Sequence, residues 1–261
     1  MLWWVFCSLS FATEFTVATL NIGHGRGSGR HQVLQSTAKV QSNLDKIAES
    51  MMPYDVDVVA LQESDSDAWW SGNQDQVHSL SQRLKMDHTL IGFHSQKSRL
   101  EYGTSLISER AIHDAQSIRY RSSFPLPPKG FVIGQIGIDE QDVVVVSIHL
   151  DPRKAHVRAR QVDALHTVLK SLDVPVIVMG DFNVEWGSEL EGYCTKLGLR
   201  PYEPMQSLVS FPRLHRRLDW VLIGDGLTFE EYWTESTTLS DHNLVVAKIG
   251  LSMSNQGSDL D

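Results

Sequence analysis

Along this chain, short runs of β-branched and apolar residues alternate with stretches whose apolar positions recur at helical spacing. Residues 15–22 are the first run, with Phe15, Val17, Leu20 and Ile22 apolar, and they predict a strand. Over 37–51, Val40, Leu44, Ile47 and Met51 fall at spacings of four, three and four, which puts them in one stripe of a helix. Residues 57–61 predict the next strand. Val77, Leu80 and Leu84 predict a helix over 75–86, and 89–93 and 104–107 have strand character. The prolines of Phe124-Pro125-Leu126-Pro127-Pro128 mark a loop, because proline cannot serve inside a sheet. After it, 131–138 and 143–150 predict two strands joined by the polar turn Asp139-Glu140-Gln141-Asp142, a hairpin. Residues 154–171 predict a helix with Val157, Gln161, Leu165, Val168 and Leu172 along one side. Further strands are predicted over 174–179, 218–223, 227–233 and 243–249, whereas 184–216 has weak periodicity. A hairpin joined to units of strand and helix, with no repeat and no flexible linker, predicts a mixed α/β sandwich in one domain.

Composition narrows the class. A hydrophobic fraction of 41% over 261 residues supports a real core and excludes a disordered or fibrous chain. The 32 acidic residues exceed the 23 Lys and Arg, giving a net charge of −9. That balance argues against a tight non-specific DNA binder but leaves room for a local basic groove. Cys7 and Cys194 offer neither a disulfide framework nor a cysteine metal cluster. No apolar run reaches the roughly 18 residues of a transmembrane span, so no such anchor is expected. Leu2 to Leu9 is apolar and Ser10-Phe11-Ala12 has small residues suited to signal cleavage, yet no Lys or Arg precedes the run. Residues 1–12 are therefore either a short signal peptide or an N-terminal extension, and a secreted or periplasmic location stands level with a cytoplasmic one. The domain is assigned to 13–251, and 252–261 to a polar tail. A monomer is the default expectation.

The informative anomaly is where acidic, amide and histidine side chains fall. Asn21, Glu63 and His149 each end an apolar run, and Asp181 and Asn183 follow another. Asp219 and the pair Asp241-His242 each precede one. A single polar residue at a strand end usually just starts a loop. If these ends converge, their carboxylates repel strongly, and a shared divalent cation relieves that cost. Oxygen donors without cysteine favour Mg²⁺ or Mn²⁺ over structural zinc.

Taken in chain order, these segments resemble the endonuclease/exonuclease/phosphatase superfamily, the DNase I-like proteins, and the chain looks like a small bacterial-type member. The matching stretches are Leu20-Asn21-Ile22, Leu61-Gln62-Glu63, Tyr102 to Ser108, Ser147-Ile148-His149-Leu150, Gly180-Asp181-Phe182-Asn183, Arg217 to Val221 and Ser240-Asp241-His242. Gly-Asp-Phe-Asn or Ser-Asp-His alone is a weak signal; the ordered set is strong. The resemblance implies a four-layer α/β/β/α sandwich of two packed mixed sheets and phosphoester hydrolysis with Mg²⁺ or Mn²⁺. It implies that Glu63 is the central metal ligand, with Asn21 beside it and Asp241 as a further ligand, although Asn21 also suits a strand-end cap. Asp181 would orient or deprotonate the attacking water, and Asn183 would fix that water or donate to a phosphate oxygen. His242 would contact the phosphate while Asp219 pairs with it, and His149 would be the second histidine. Which histidine is the general acid stays open. Two departures bear on loop shape and branch: Trp186-Gly187-Ser188 stands where many relatives carry a proline, and Tyr102 lacks the setting of the catalytic tyrosine of abasic-site enzymes.

Several basic residues flank these motifs. Arg26 lies in the glycine-rich stretch Gly23 to Arg30, beside His24. Arg153, Arg158 and Arg160 follow His149, and Arg213, Arg216 and Arg217 precede Asp219. Solvated surface charge is the default reading. The functional one assigns Arg26, Arg153, Arg160, Arg216 and Arg217 to substrate phosphate, with Arg216 or Arg217 favoured. The expected substrate is a phosphorylated small molecule or a phospholipid headgroup, cleaved as a phosphodiester or a monoester. A DNase I-like nuclease acting on nucleic acid ranks second, and a non-catalytic phosphate-binding module third.

Overall fold

The computed structural model describes residues 13–27, 29, 35–97, 99–203, 208–235 and 238–252. The N-terminal stretch with Cys7, Arg30 of the glycine-rich loop and tail residues 253–261 lie outside them. Two six-stranded mixed sheets pack face to face. The first contains β1 (Thr13–Asn21), β2 (Val58–Ala68), β3 (His88–Lys97), β4 (Leu100–Ser108), β11 (Leu227–Glu235) and β12 (Leu244–Leu251), in the order β11-β12-β1-β2-β4-β3. The second contains β5 (Ile112–Arg119), β6 (Gly130–Ile138), β7 (Gln141–His149), β8 (Val176–Asp181), β9 (Arg200–Pro201) and β10 (Asp219–Ile223), in the order β5-β6-β7-β8-β10-β9.

Side chains alternate across each strand, so each sheet has an inner and an outer apolar face. Val17, Val58 and Leu106 meet Val132, Val145 and Met179 between the sheets. Helices α1 (Thr37–Met51) and α2 (Gln76–Leu84) cover the outer face of the first sheet, where Val40, Leu44 and Ile47 pack on Leu20 and Leu61. Helices α3 (Ala155–Leu169) and α4 (Ser188–Leu197) cover the second, where Val162, Leu165 and Leu190 pack on Val146, Val178 and Trp220. The result is the four-layer α/β/β/α sandwich. The predicted stripe of α1 is the buried one, and Ser36 caps the helix by accepting from the Lys39 N–H at 3.3 Å. The hairpin between β6 and β7 turns at Asp139-Glu140, with Ile138 opposite Gln141. Three elements escape the sequence pattern, the two-residue strand β9 among them. Strand β5 is a polar, largely exposed sheet edge, and α4 lies in the stretch of weak periodicity.

Strand direction positions the site. β1 runs parallel to β2 with Asn21 opposite Gln62, and β7 runs parallel to β8 with His149 opposite Asp181. β1, β7 and β8 end at one rim, where Asn21 donates to Asp181, and β2 passes it at Glu63 before running on to Ala68. β10 is antiparallel to β8 and begins at this rim, with Asp219 opposite Asp181. β12 is antiparallel to β1, which brings the segment before it, Asp241-His242, to the same rim. Buried Gln62 ties the sheets together there by donating to the Ser147 hydroxyl at 3.2 Å. Gly180 is required where β8 approaches β7: its φ is +142°, and a Cβ would lie 2.1 Å from the Ile148 carbonyl oxygen.

Candidate active site

The rim gathers the acidic, amide and histidine residues singled out in the sequence into one buried cluster. Asp181 is its hub. Its Oδ2 accepts from Asn21 Nδ2 at 3.1 Å and lies 3.4 Å from His149 Nε2 and 3.8 Å from His242 Nε2. Its Oδ1 accepts the Asn183 N–H at 2.9 Å. Asn183 adopts a φ of 53° and donates its side-chain amide to the Leu150 carbonyl at 3.1 Å. Behind His242, the Asp219 carboxylate lies 2.7 Å from Nδ1, and the Phe211 ring packs against the imidazole at 4.9 Å.

Electrostatics divides the ionisable groups into contrasting states. Burial pushes the Asp181 carboxyl up to about 7; the nearby Asp219 charge adds to this while His242 opposes it. Burial alone would lower the His242 pKa, but Asp219 and Asp181 outweigh it and raise the ring to about 10. His149 is held well below its ordinary value, first by burial and then by the ammonium of Lys129. These directions favour an imidazolium at His242 and a neutral ring at His149.

Glu63 occupies the other side of the cluster, at a β-bulge in β2 and with a φ of 51°. Three basic side chains surround it: Lys129 Nζ at 3.1 Å from Oε1, and His24 Nε2 at 3.6 Å and Arg26 Nη1 at 4.0 Å from Oε2. A unit charge pair at about 4 Å is worth about 4 kcal/mol at an effective dielectric near 20. Burial would raise the Glu63 pKa, yet these neighbours hold it well below the usual carboxylate range. Arg26 also bridges to Asp241, with Nη2 2.6 Å from Oδ2. His24 is fixed by Asp65, whose Oδ1 lies 2.7 Å from Nδ1 and whose Oδ2 accepts from Trp70 Nε1 at 2.8 Å.

The oxygen donors of Asn21, Glu63 and Asp241 fit a hard divalent cation. The Gly23 turn opens the space beside them, since a Cβ there would lie 3.3 Å from Asp241 Oδ1. Asp181, Asp219 and His242 also bring ligand atoms within 4.8 Å of one another and could hold a metal. An imidazolium has no lone pair to give, so His242 could serve as a ligand only as a neutral ring.

The remaining arginines do not join the cluster. Arg26 reaches it, but as a partner of Asp241 and Glu63. None of Arg153, Arg160, Arg216 and Arg217 has a hydrogen bond or ion pair to a member of the cluster among the described residues. The Arg153 N–H donates to Asp151 at 2.9 Å while its side chain is exposed, and Arg216 pairs with Glu185 on the surface. Arg217 is buried, with its guanidinium 3.9 Å from the Trp220 ring centroid and 5.0 Å from that of Tyr232. Cation–π contacts thus absorb the arginine that sequence position favoured for phosphate. Arg158 is likewise committed, to Glu189. Lys129 is the residue the sequence reading passed over. It immediately precedes β6, whose first residue Gly130 pairs with His149 at the end of β7, and its Nζ also lies 3.4 Å from His149 Nδ1. Its signal was the same strand-end position, borne by a lysine.

Comparison with known proteins fits this arrangement. The sequence profile of the endonuclease/exonuclease/phosphatase family matches residues 18–242. The chain belongs to that family. Members of the family are generally phosphoester hydrolases and typically depend on divalent metal. No curated protein matches the chain. Among solved structures, an endonuclease/exonuclease/phosphatase from Bacteroides vulgatus superposes with a TM-score of 0.74 at 17% identity, over 92% of this chain and 100% of its own. A mannosyl-6-phosphatase from Bacteroides thetaiotaomicron gives 0.69 at 16%, over 90% and 99%. A sphingomyelinase C from Streptomyces griseocarneus gives 0.66 at 18%, over 90% and 99%. Identities this low establish the shared family fold and leave the substrate to the site itself.

Proposed function

We propose that the protein is a Mg²⁺- or Mn²⁺-dependent hydrolase that cleaves a phosphate ester in a small molecule or lipid headgroup. The observation that carries this reading is the convergence of His149 Nε2 and His242 Nε2 on Asp181 Oδ2, at 3.4 and 3.8 Å, with the Asp219 carboxylate behind His242. Glu63, Asn21 and Asp241 would hold the metal. When bound, it would draw charge from the phosphoryl oxygens and the leaving oxygen.

The chain's own residues would supply the rest. Asp181 takes the proton of the attacking water through Oδ2, and Asn21, which donates to that oxygen, keeps it aimed. Asn183, fixed by Leu150, borders the same space. His242 presents Nε2–H to a phosphate oxygen, and Asp219 holds its Nδ1–H and therefore its charge. Lys129 adds positive charge between Glu63 and His149, where negative charge builds in the transition state. A mannosyl-6-phosphatase and a sphingomyelinase C among the structural neighbours are consistent with a phosphorylated sugar or lipid-headgroup substrate.

Hydrolysis of bis-p-nitrophenyl phosphate with Mg²⁺, Mn²⁺ or chelator tests the reaction class. Glu63→Gln and His242→Ala should each abolish turnover with the circular dichroism spectrum unchanged. Equal rates in the variants and the parent protein, at matched metal, would sink the proposal.

A further inference from the structure

The strap of residues 120–128, which links β5 to β6, separates two cavities. The inner one, about 530 Å³, is lined by His94, Tyr102, Lys97, Arg119 and Ser122. It borders the active site: the His94 ring lies 6.3 Å from that of His149, and Tyr102 lies 5.3 Å from His24. The outer cavity, about 670 Å³, lies between the strap and α3 and is lined by Arg119, Arg121, Ser122, Lys154 and Arg160 among others. Arg119 and Ser122 line both, so the two cavities adjoin at these residues and together make a trough beside the catalytic rim.

Its charge is anomalous. Five cationic side chains stand along it (Lys97, Arg119, Arg121, Lys154 and Arg160), and neither lining contains Asp or Glu. This occurs in a chain of net charge −9. Arg26, Arg83 and Arg158 are matched with Asp241, Asp45 and Glu189, and other cations such as Lys39 and Lys85 stand singly on the surface, not gathered along one concave wall. Among the described residues none of the five trough cations forms an ion pair, and Lys154 reaches only the Phe124 carbonyl, at 3.3 Å. Unmatched like charges along one concave wall raise the potential there and concentrate anions.

We infer that this trough binds a second anionic group of the substrate, a phosphate, sulfate or carboxylate, beyond the phosphate held at the catalytic rim. The inference rests on the hydrolase reading for the first phosphate. Arg119 is the pivot, because it alone among the cations faces both cavities and its guanidinium can grip an oxyanion with two parallel hydrogen bonds. Arg160, assigned to substrate phosphate from its sequence position, contributes here and not at the catalytic cluster.

Calorimetric titration in chelator, which prevents metal-dependent turnover, tests binding directly. The probes are a six-carbon diol bisphosphate and the matching monophosphate. The bisphosphate should bind the parent protein at least about tenfold more tightly, the gain expected of one charge-assisted contact. Arg119→Gln should cut that advantage to about twofold, and Arg119→Gln with Arg160→Gln should erase it. Bis-p-nitrophenyl phosphate hydrolysis with Mg²⁺ should stay within about twofold in both variants, since the trough lies outside the catalytic cluster. Equal affinity for the two probes, or an advantage that survives the double substitution, overturns the inference. A bisphosphate preference without any nitrophenyl hydrolysis supports the trough and removes the hydrolase reading. Hydrolysis without the preference does the reverse. Cleavage of oligonucleotides by a protein that shows no bisphosphate preference also overturns a second-anion site for small substrates.

Discussion

Asp219 holds His242 by a single short contact, 2.7 Å from carboxylate Oδ2 to ring Nδ1, with Asp219 fully buried. This contact orients the ring, directs Nε2 toward Asp181 and, with the Asp181 carboxylate, raises the ring's pKa to about 10 against burial. Asp219→Asn keeps the shape and removes the charge. It should lower kcat by about 10² to 10⁴, the range of a misdirected acid–base partner. KM should change little. Steady-state kinetics on the parent and variant proteins decide it, and a kcat within about threefold of the parent would show that the pair is structural only.

Arg26 bridges the two carboxylates that would share a metal, Glu63 and Asp241. A guanidinium and a divalent cation compete for the same oxygens, so metal entry must displace the arginine or weaken its grip. Arg26→Gln should therefore tighten Mg²⁺ or Mn²⁺ binding by about tenfold, which is about 1.4 kcal/mol. Titration of metal-free protein by calorimetry reads this without any turnover. Unchanged or weaker metal binding would mean that Arg26 orients the acidic pair instead of competing for it.

That the candidate site residues lie together was legible in the sequence because strand ends are legible. Parallel pairing sets Asn21 beside Glu63 and His149 beside Asp181, and the face-to-face packing of the two sheets brings the pairs together. Asp219 and His242 follow from strands that start where their neighbours stop. The basic residues were harder to read. A cluster such as Arg213, Arg216 and Arg217 sits in an irregular turn, where no periodicity tells which way a side chain faces, and Arg217 turns onto Trp220. Lys129 escaped for a chemical reason: a lysine after a proline-rich loop looks like solvated charge until β6 is aligned with β7. β5 escaped because an edge strand that faces water needs no apolar alternation.

Gly180 is the backbone requirement behind Asp181. A methyl group there would meet the Ile148 carbonyl at 2.1 Å and force an L-residue to a φ of +142°. Neither neighbour can yield, because that carbonyl belongs to the paired strand β7. Gly180→Ala should destabilise the fold by about 3 kcal/mol or more, combining overpacking with backbone strain. Chemical denaturation measures it. A loss under about 1 kcal/mol would mean that β7 and β8 separate at this point more easily than their pairing implies.

Arg158 clamps α3 to α4 through Glu189, with Nε at 2.7 Å from Oε1 and Nη2 at 2.8 Å from Oε2, while Tyr193 donates to Oε1 at 2.6 Å. The hydrogen bonds from Arg158 hold the Glu189 carboxyl below its ordinary value, against the opposing effect of burial and with help from Tyr193. A carboxyl whose pKa is depressed by folding stabilises the native state above its unfolded pKa of about 4.3, and loses that contribution as pH falls through the lower native value. Glu189 is partly exposed, so solvent screens the pair, and its contribution is about 1 to 2 kcal/mol. Glu189→Gln should therefore unfold more readily than the parent protein at pH near 7, and the gap should close on the acid side of the native pKa. Denaturation curves for both proteins across that acid range check the sign. A gap that stays constant with pH would assign the effect to packing between the helices and not to charge.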